Sequence, residues 1–261
     1  MIMKKLNIAL LLGCAAASFS ALADGSTLKF GLEAQYPPFE SKSATGELQG
    51  FDIDVGNAVC AAAKLKCEWF DTAFDGLIPA LQARKFDAIN SAMNVTEKRR
   101  QAIDFTNVIY RVPSKLIAKK DAKLLPTADS LKGKHIGVLQ GSIQESYAQA
   151  HWAPKGVDIV SYQDQNQVYL DLSSGRLDGT LVLAPAGQTG FLDRPDGKDY
   201  AFAGDAVRDD KILGSGIAFG LRKGDTATKE KLDVAIAKIK QDGVIEALSK
   251  KYFGDIDITA K

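Results

Sequence analysis

The sequence predicts an α/β fold of two similar lobes joined by two crossing strands, and three observations carry that prediction. Short β-rich runs alternate with helical stretches, the rhythm of parallel sheets built from strand-helix-strand units. Residues 81–89 (LQARKFDAI) are echoed by residues 172–180 (LSSGRLDGT), with a helix end, a basic residue, an apolar residue, Asp and a small residue in the same order. The C-terminal strand and long helix make a poor domain alone, so they return to complete the first lobe.

In chain order, residues 27–32 read as a strand, and Phe51, Val55, Ala58, Val59 and Ala62 mark the buried side of a helix. A strand at 67–70, a helix carrying Leu77, Ile78 and Leu81, and a strand at 86–89 follow. The second series has strands at 115–118, 136–139, 157–160 and 177–183, with helices over 142–150 and 164–173. A strand at 216–221 then precedes a helix capped by Thr226, with Leu232, Ala235, Ile236 and Ile239 buried and an end near Gly243. The first lobe is therefore expected to hold residues 24–111 and 213–261, and the second residues 112–212. The two crossings, near 109–113 and 212–216, lack a long Gly/Ser linker and read as a hinge.

The first 23 residues stand apart. Lys4 and Lys5 precede an apolar run, and small residues lead to Ala21-Leu22-Ala23 before Asp24, an export signal with an A-x-A cleavage site. A transmembrane anchor is disfavoured because Gly13, Ser18 and Ser20 dilute the stretch. Lipidation of Cys14, in Leu11-Leu12-Gly13-Cys14, is the less favoured alternative, since the chain stays apolar to Leu22. The expectation is an exported, soluble protein of the periplasm. Its formal charge of +1, from 33 basic and 32 acidic residues, offers no field for phosphate backbones and excludes nucleic acid as a partner.

Export leaves Cys60 and Cys67, an even number in an oxidising compartment, which favours a disulfide over two free core thiols. On one continuous helix, positions seven apart lie about 10.5 Å apart along the axis, beyond bridging range, so the helix must end between them, near 64–66.

Enzyme signatures are scarce. His135 and His151 stand in no metal-binding spacing, no G-x-S-x-G occurs, and the cluster Gly214-Ser215-Gly216 reads as hinge and close strand packing. No metal or cofactor is expected. A strand running into Gly141, with Ser142 capping a helix, presents backbone N–H groups suited to an anion, although an ordinary capped helix looks the same. Tyr36 in Tyr36-Pro37-Pro38-Phe39 and Phe74 each occupy a loop after a strand and are as readily core as ligand wall. Arg99, just beyond Thr96, is placed to clamp a carboxylate, with a solvated helix face as the alternative.

From Lys29 onward the chain resembles the periplasmic solute-binding proteins of polar amino-acid ABC transporters, most closely the lysine/arginine/ornithine/histidine group. The matching stretches are GFDIDVGNAVC, FDGLIPAL, DAINSAMNVTEKRR, LKGKHIGVLQGSIQESYA, GRLDG, GKDYAFAG and KKYF. The resemblance implies a type II two-lobed fold, a membrane permease as partner, and a monomer that closes over a small carboxylate. It places Tyr36 and Phe74 as aromatic plates around the ligand side chain, and Glu33 with Ser91 at the distal cation. Arg99, with backbone N–H groups near Asn94 and Ile143, matches the α-carboxylate site, while Leu139, Ser142 and Gln144 line the second lobe.

The chain departs from the family pattern at the α-ammonium. Leu183 stands where an Asp is usual, Ala92 and Asn94 where Ser is common, and Ile143 replaces a frequent Thr. Glu33 with Ala92-Met93 is also similar to opine-binding relatives, whose ligands carry a substituted α-nitrogen. The expected ligand is thus a basic amino acid or a derivative with a substituted or absent α-amino group, such as an opine or a guanidino or imidazole carboxylate. A periplasmic dehydratase- or lyase-like enzyme on the same fold is the rival.

Overall fold

The computed structural model describes residues 26–254 together with Ile256 and Ile258, so the export signal, its cleavage site and Cys14 lie outside the described residues. The strands, in order, are β1 (Thr27–Leu32), β2 (Gln35–Tyr36), β3 (Glu40–Lys42), β4 (Leu48–Gln49), β5 (Lys66–Asp71), β6 (Ala88–Ile89) and β7 (Ile103–Phe105). They continue as β8 (Ser114–Lys119), β9 (His135–Leu139), β10 (Asp158–Tyr162), β11 (Gly179–Leu183), β12 (Tyr200–Phe202) and β13 (Gly220–Arg222).

One five-stranded sheet has the order β5-β1-β6-β13-β7, and a second the order β10-β9-β11-β8-β12. In each, the first three strands run parallel and the strand that follows them is antiparallel. The inner parallel strands are covered on both faces, which is why every residue of β11 is buried and β1 alternates only at its start. β13 sits inside the first sheet, between β6 and β7, although it follows every strand of the second sheet in sequence.

Helix Phe51–Ala62 buries Phe51, Val55 and Val59 in the first core, and helix Thr226–Gln241 adds Leu232, Ala235, Ile236 and Ile239. The cap of the latter is Asp225, which accepts from Thr228 N, rather than Thr226; the longer reach of Asp places its oxygen on the third amide. Helix Val244–Phe253, unread in the sequence, follows directly because Gly243 takes φ +72° and turns the chain between two helices. The second core gathers Leu116, Leu131, Val138, Ala148 and Trp152. Among the described residues no helix is long and apolar enough to cross a membrane.

Two crossing segments tie the sheets together as an antiparallel pair. Ile109 N–H donates to Ile217 O at 2.7 Å and Ile217 N–H to Tyr110 O at 2.8 Å, while Val95 N–H donates to Gly216 O at 2.8 Å. Gly216, at φ +132°, must be glycine, since a Cβ there would lie 2.6 Å from Val108 and 3.0 Å from the Tyr110 carbonyl.

Cys60 and Cys67 are bridged, with Cα atoms 6.0 Å apart, because the helix stops at Ala62 and β5 brings Cys67 back alongside. Replacing both by Ser is expected to remove about 2 to 3 kcal/mol of stability, the chain-entropy value for so short a loop. Urea unfolding of the variant and of the oxidised parent checks this. Intact-mass labelling should also find no free thiol in the unreduced mature protein.

Candidate ligand-binding site

The carboxyl ends of parallel strands from both sheets face one another, the usual location for a ligand in open α/β sheets. Between them lies a small cavity of about 20 Å³ lined by Tyr36, Glu40, Phe74, Ser91, Ala92, Asn94, Arg99, Leu139, Ser142, Ile143, Gln144 and Leu183. All the ligand residues expected from the sequence line it except Glu33 and Met93, which are buried nearby. Glu40 is the addition. Its signal was the register of a hairpin: Tyr36 in β2 pairs directly with Glu40 in β3, so both side chains share a face.

Arg99 anchors one part of the cavity. It follows Thr96, whose Oγ1 accepts the Arg99 N–H at 3.2 Å and starts the short helix Glu97–Arg100. The guanidinium donates to two carbonyls, Asn94 O at 2.8 Å and Gly141 O at 3.1 Å, and lies 5.4 Å from the centre of the Phe74 ring. No carboxylate among the described residues pairs with it, and burial alone pulls its pKa down to about 10, so it stays charged. Arg99 thus lies over one side of the Phe74 ring, which also lines the cavity.

The helix start opposite is capped from two side chains, in an arrangement one residue out of step with a capping box. Ser142 Oγ accepts Glu145 N–H at 3.0 Å, and Glu145 Oε2 accepts Gly141 N–H at 2.7 Å. These bonds claim part of the anion site inferred from sequence. The amides of Ile143 and Gln144, and that of Asn94 across the cleft, have no protein acceptor among the described residues. Arg99 with these amides supplies what a carboxylate needs: one charge and converging donors.

The acids lie on the first lobe. Glu33 is 2% exposed, and neither carboxyl oxygen has a partner. Burial, then Asp164, Asp71 and Asp75, raises its pKa to about 8. Glu40 accepts Ser91 Oγ at 2.7 Å through Oε1 while Oε2 is unpartnered. Burial and then Asp52 hold its pKa well above the carboxylate range. Asp52 itself rises to about 6 through burial, opposed by hydrogen bonds from Tyr110 Oη at 2.7 Å and Ala92 N at 2.6 Å. The second bond holds Ala92 at φ +43°, an uncommon conformation for a residue with a Cβ.

The lobes are closed on each other. Besides Arg99 to Gly141, Leu183 N–H donates to Tyr36 Oη at 3.4 Å and Asn166 Nδ2 to Gln35 Oε1 at 3.3 Å. Gly141, at φ +76°, packs on Asp75, and a Cβ there would come within 3.0 Å. Leu183 is 3% exposed and puts only hydrocarbon on the cavity.

The sequence profile of the bacterial extracellular solute-binding proteins, family 3, matches residues 28–255. The chain belongs to this family. It is 47% identical to the lysine/arginine/ornithine-binding periplasmic protein of Escherichia coli K12 over 253 residues, 96% of this chain and 97% of the relative. Identity to the histidine-binding periplasmic protein of Salmonella typhimurium is 45% over 258 residues, 98% of this chain and 99% of the relative. Its fold matches that of a Salmonella typhimurium periplasmic binding protein of high arginine specificity, with TM-score 0.82 and 31% identity over 88% of this chain and 100% of that one. An ancestral amino-acid-binding precursor of cyclohexadienyl dehydratase also matches, with TM-score 0.77 and 28% identity, over 87% and 96% of the two chains. Family 3 solute-binding proteins of this kind are binding proteins, and the amino-acid relatives carry that name.

Arg99→Ala should weaken binding of every carboxylate ligand by about 2 to 5 kcal/mol, because a desolvated charged contact is lost. Calorimetry with the fold verified by circular dichroism checks this, and unchanged affinity would contradict the clamp. A second expectation concerns pH. Glu33 and Asp52 have folded pKa values above their ordinary ones, so the folded state binds more protons between about pH 4 and 8 and these groups make stability fall as pH rises. The slope is up to about 1.4 kcal/mol per pH unit per group. Ligand-free Tm should decline from pH 5 to 8, and Glu33→Gln should flatten the decline; a flat parent curve would contradict the buried neutral acid.

Proposed function

We propose that this protein is the periplasmic receptor of an ABC importer. It captures a small carboxylate with a cationic tail, closes its two lobes over it, and delivers it as a monomer to the membrane permease. The observation that supports this most is the pairing of unanswered groups in one closed cleft: a buried, charged Arg99 without a carboxylate and buried acids whose carboxyl oxygens lack partners. An uncompensated buried charge costs several kcal/mol, so a ligand of opposite polarity at each place favours closure. The lobes in this reading are residues 24–111 with 213–261, and 112–212, hinged where 109–113 and 212–216 cross. The lysine-, arginine- and histidine-binding names of the relatives support a basic amino acid.

Leu183 narrows the choice. A free α-ammonium would face hydrocarbon on the second lobe, which supports a ligand whose α-nitrogen is substituted or absent: an opine, an N-acylated basic amino acid, or a guanidino or imidazole carboxylate. A receptor, rather than a dehydratase-like enzyme, returns its ligand unchanged, and multiple-turnover conversion of any bound compound would decide against it.

A thermal-shift panel of arginine, lysine, ornithine, histidine and these derivatives tests the reading. At a hundredfold excess over Kd, binding adds about 2.7 kcal/mol, enough to rank the ligands. Derivatives should match or exceed the free amino acids, and Leu183→Asp should raise arginine affinity by tenfold or more, roughly the value of one recovered charge pair. Submicromolar arginine binding by the parent, unimproved by Leu183→Asp, would overturn the α-nitrogen preference.

A further inference from the structure

A groove of about 470 Å³ runs along the hinge, walled by residues 111–114 of one crossing and 213–216 of the other. The ligand cavity beside it is closed down to about 20 Å³. Asn94 and Ile143 line both spaces, so the partition between cleft and groove is the thickness of their side chains. Ser114 adds to it from the groove side, where its Oγ accepts Gln144 Nε2 of the cavity at 2.8 Å. Asn94 is held there by the hinge itself. Its neighbours pair with the second crossing, Val95 N–H donating to Gly216 O at 2.8 Å and Ala218 N–H to Met93 O at 3.3 Å. Asn94 is 6% exposed, and its side-chain amide makes no hydrogen bond among the described residues. A buried amide at the junction of two spaces therefore lacks the polar partner that such groups almost always have.

Ligand geometry brings the α-nitrogen to this junction. With the carboxylate on Arg99 and the main-chain amides of Asn94, Ile143 and Gln144, the nitrogen lies one carbon away, toward Leu183 in the proposed reading. Leu183 pairs in register with Ser114, so that side of the cavity is the groove side. The side-chain acceptors there are Asn94 Oδ1 and Ser114 Oγ, which keeps a lone pair beyond the Gln144 bond. Two acceptors suit one or two N–H groups. A free ammonium carries three and turns one to the hydrocarbon of Leu183, whereas a substituted nitrogen carries fewer and continues as carbon. A second groove, of about 520 Å³, also borders the cleft. It meets the cavity at Arg99 and Ile143, behind the carboxylate clamp, and neither Leu183 nor Ser114 lines it. In the hinge groove Arg111 and Arg208 are matched by Asp209 and Asp210, so length more than sign of charge decides what fits.

We propose that the hinge groove is the subsite for the substituent on the ligand's α-nitrogen, with Asn94 accepting the remaining N–H at its mouth. This rests on the α-nitrogen reading above and narrows it: the ligand class is a basic amino acid substituted on that nitrogen, rather than an acid without it.

The test is calorimetry on the mature protein with Nα-carboxymethyl-L-arginine, Nα-acetyl-L-arginine and desamino-arginine, the same guanidino acid without the nitrogen, and with L-arginine as reference. The parent should bind the tighter of the two substituted probes about tenfold better than desamino-arginine, roughly the worth of one recovered buried hydrogen bond. Two groove-filling variants then locate the substituent. Leu213 is half-buried and Ser215 exposed, and Ser215 is held by main-chain bonds to Val95 and from Arg111 that a new side chain leaves in place. In folded Ser215→Trp or Leu213→Trp, affinity for the substituted probe should fall about tenfold while that for desamino-arginine stays within about twofold. Desamino-arginine binding the parent as tightly as both substituted probes would overturn the proposal without any variant, and so would a loss shared equally by all probes in both variants. If L-arginine binds and neither substituted probe does, the α-nitrogen reading itself fails and the groove falls with it. If the substituted probes bind best but neither filled groove weakens them, only the groove assignment fails.

Discussion

Burying a charged Arg99 without a counter-ion in the same closed cleft as acids with unpartnered carboxyl oxygens is the constraint on which the rest of the structure turns. Arg99 cannot lose its proton at any ordinary pH, so in the closed form its charge is answered only by two main-chain carbonyls and the face of Phe74. The acids have an escape that arginine lacks, since Glu33 and Glu40 can sit neutral. Closure without a ligand therefore leaves a penalty concentrated on Arg99. A carboxylate removes it, and the open-to-closed equilibrium moves by the difference in affinity of the ligand for the two forms.

The scaffold holds these groups without letting them meet. Strand ends from separate sheets bring them to the cleft, so each acid or base is placed by a different element: Arg99 by the Thr96 cap, Glu40 by its pairing with Tyr36, and the free amides of Ile143 and Gln144 by the Ser142 cap. Asp52 supports this arrangement from behind by holding Tyr110 of the crossing segment and Ala92 of the cavity wall at once. One buried carboxylate thus links hinge and site. The paired crossing segments, with glycine where backbone meets side chain at Gly216, leave few ways for the lobes to move other than about that line.

Recognition is divided unequally. The first lobe supplies Arg99 and the acids, whereas the second offers backbone amides, Gln144 turned toward Ser114, and the hydrocarbon of Leu139, Ile143 and Leu183. In the proposed reading the second lobe reads shape and completes the carboxylate site, while charge selection lies with the first. Substitutions on the two lobes should separate in effect for that reason, with polarity errors arising on one and size errors on the other.

Much of this was legible in the linear order of residues. Apolar periodicity located the β1 strand and the helices at 51–62 and 165–173 to within a residue, because burial on one face repeats every 2 or 3.6 positions whatever the partner. The cysteine spacing required a break in the helix, and Ala62 to Lys66 supplies it. The identity of Arg99, Tyr36 and Leu183 as cavity residues was available by resemblance. What only the tertiary structure decided was proximity. Glu40 is seven residues from Glu33 in sequence and fifty-one from Ser91, yet hydrogen bonds through the Ser91 hydroxyl join the three, and no local pattern marks that. The same holds for the occupation of Phe74 by Arg99 and of the Gly141 amide by Glu145. Periodicity encodes which face a residue turns to the core, but charge energetics depend on distance and burial, which exist only once the two sheets and the crossing segments are in place.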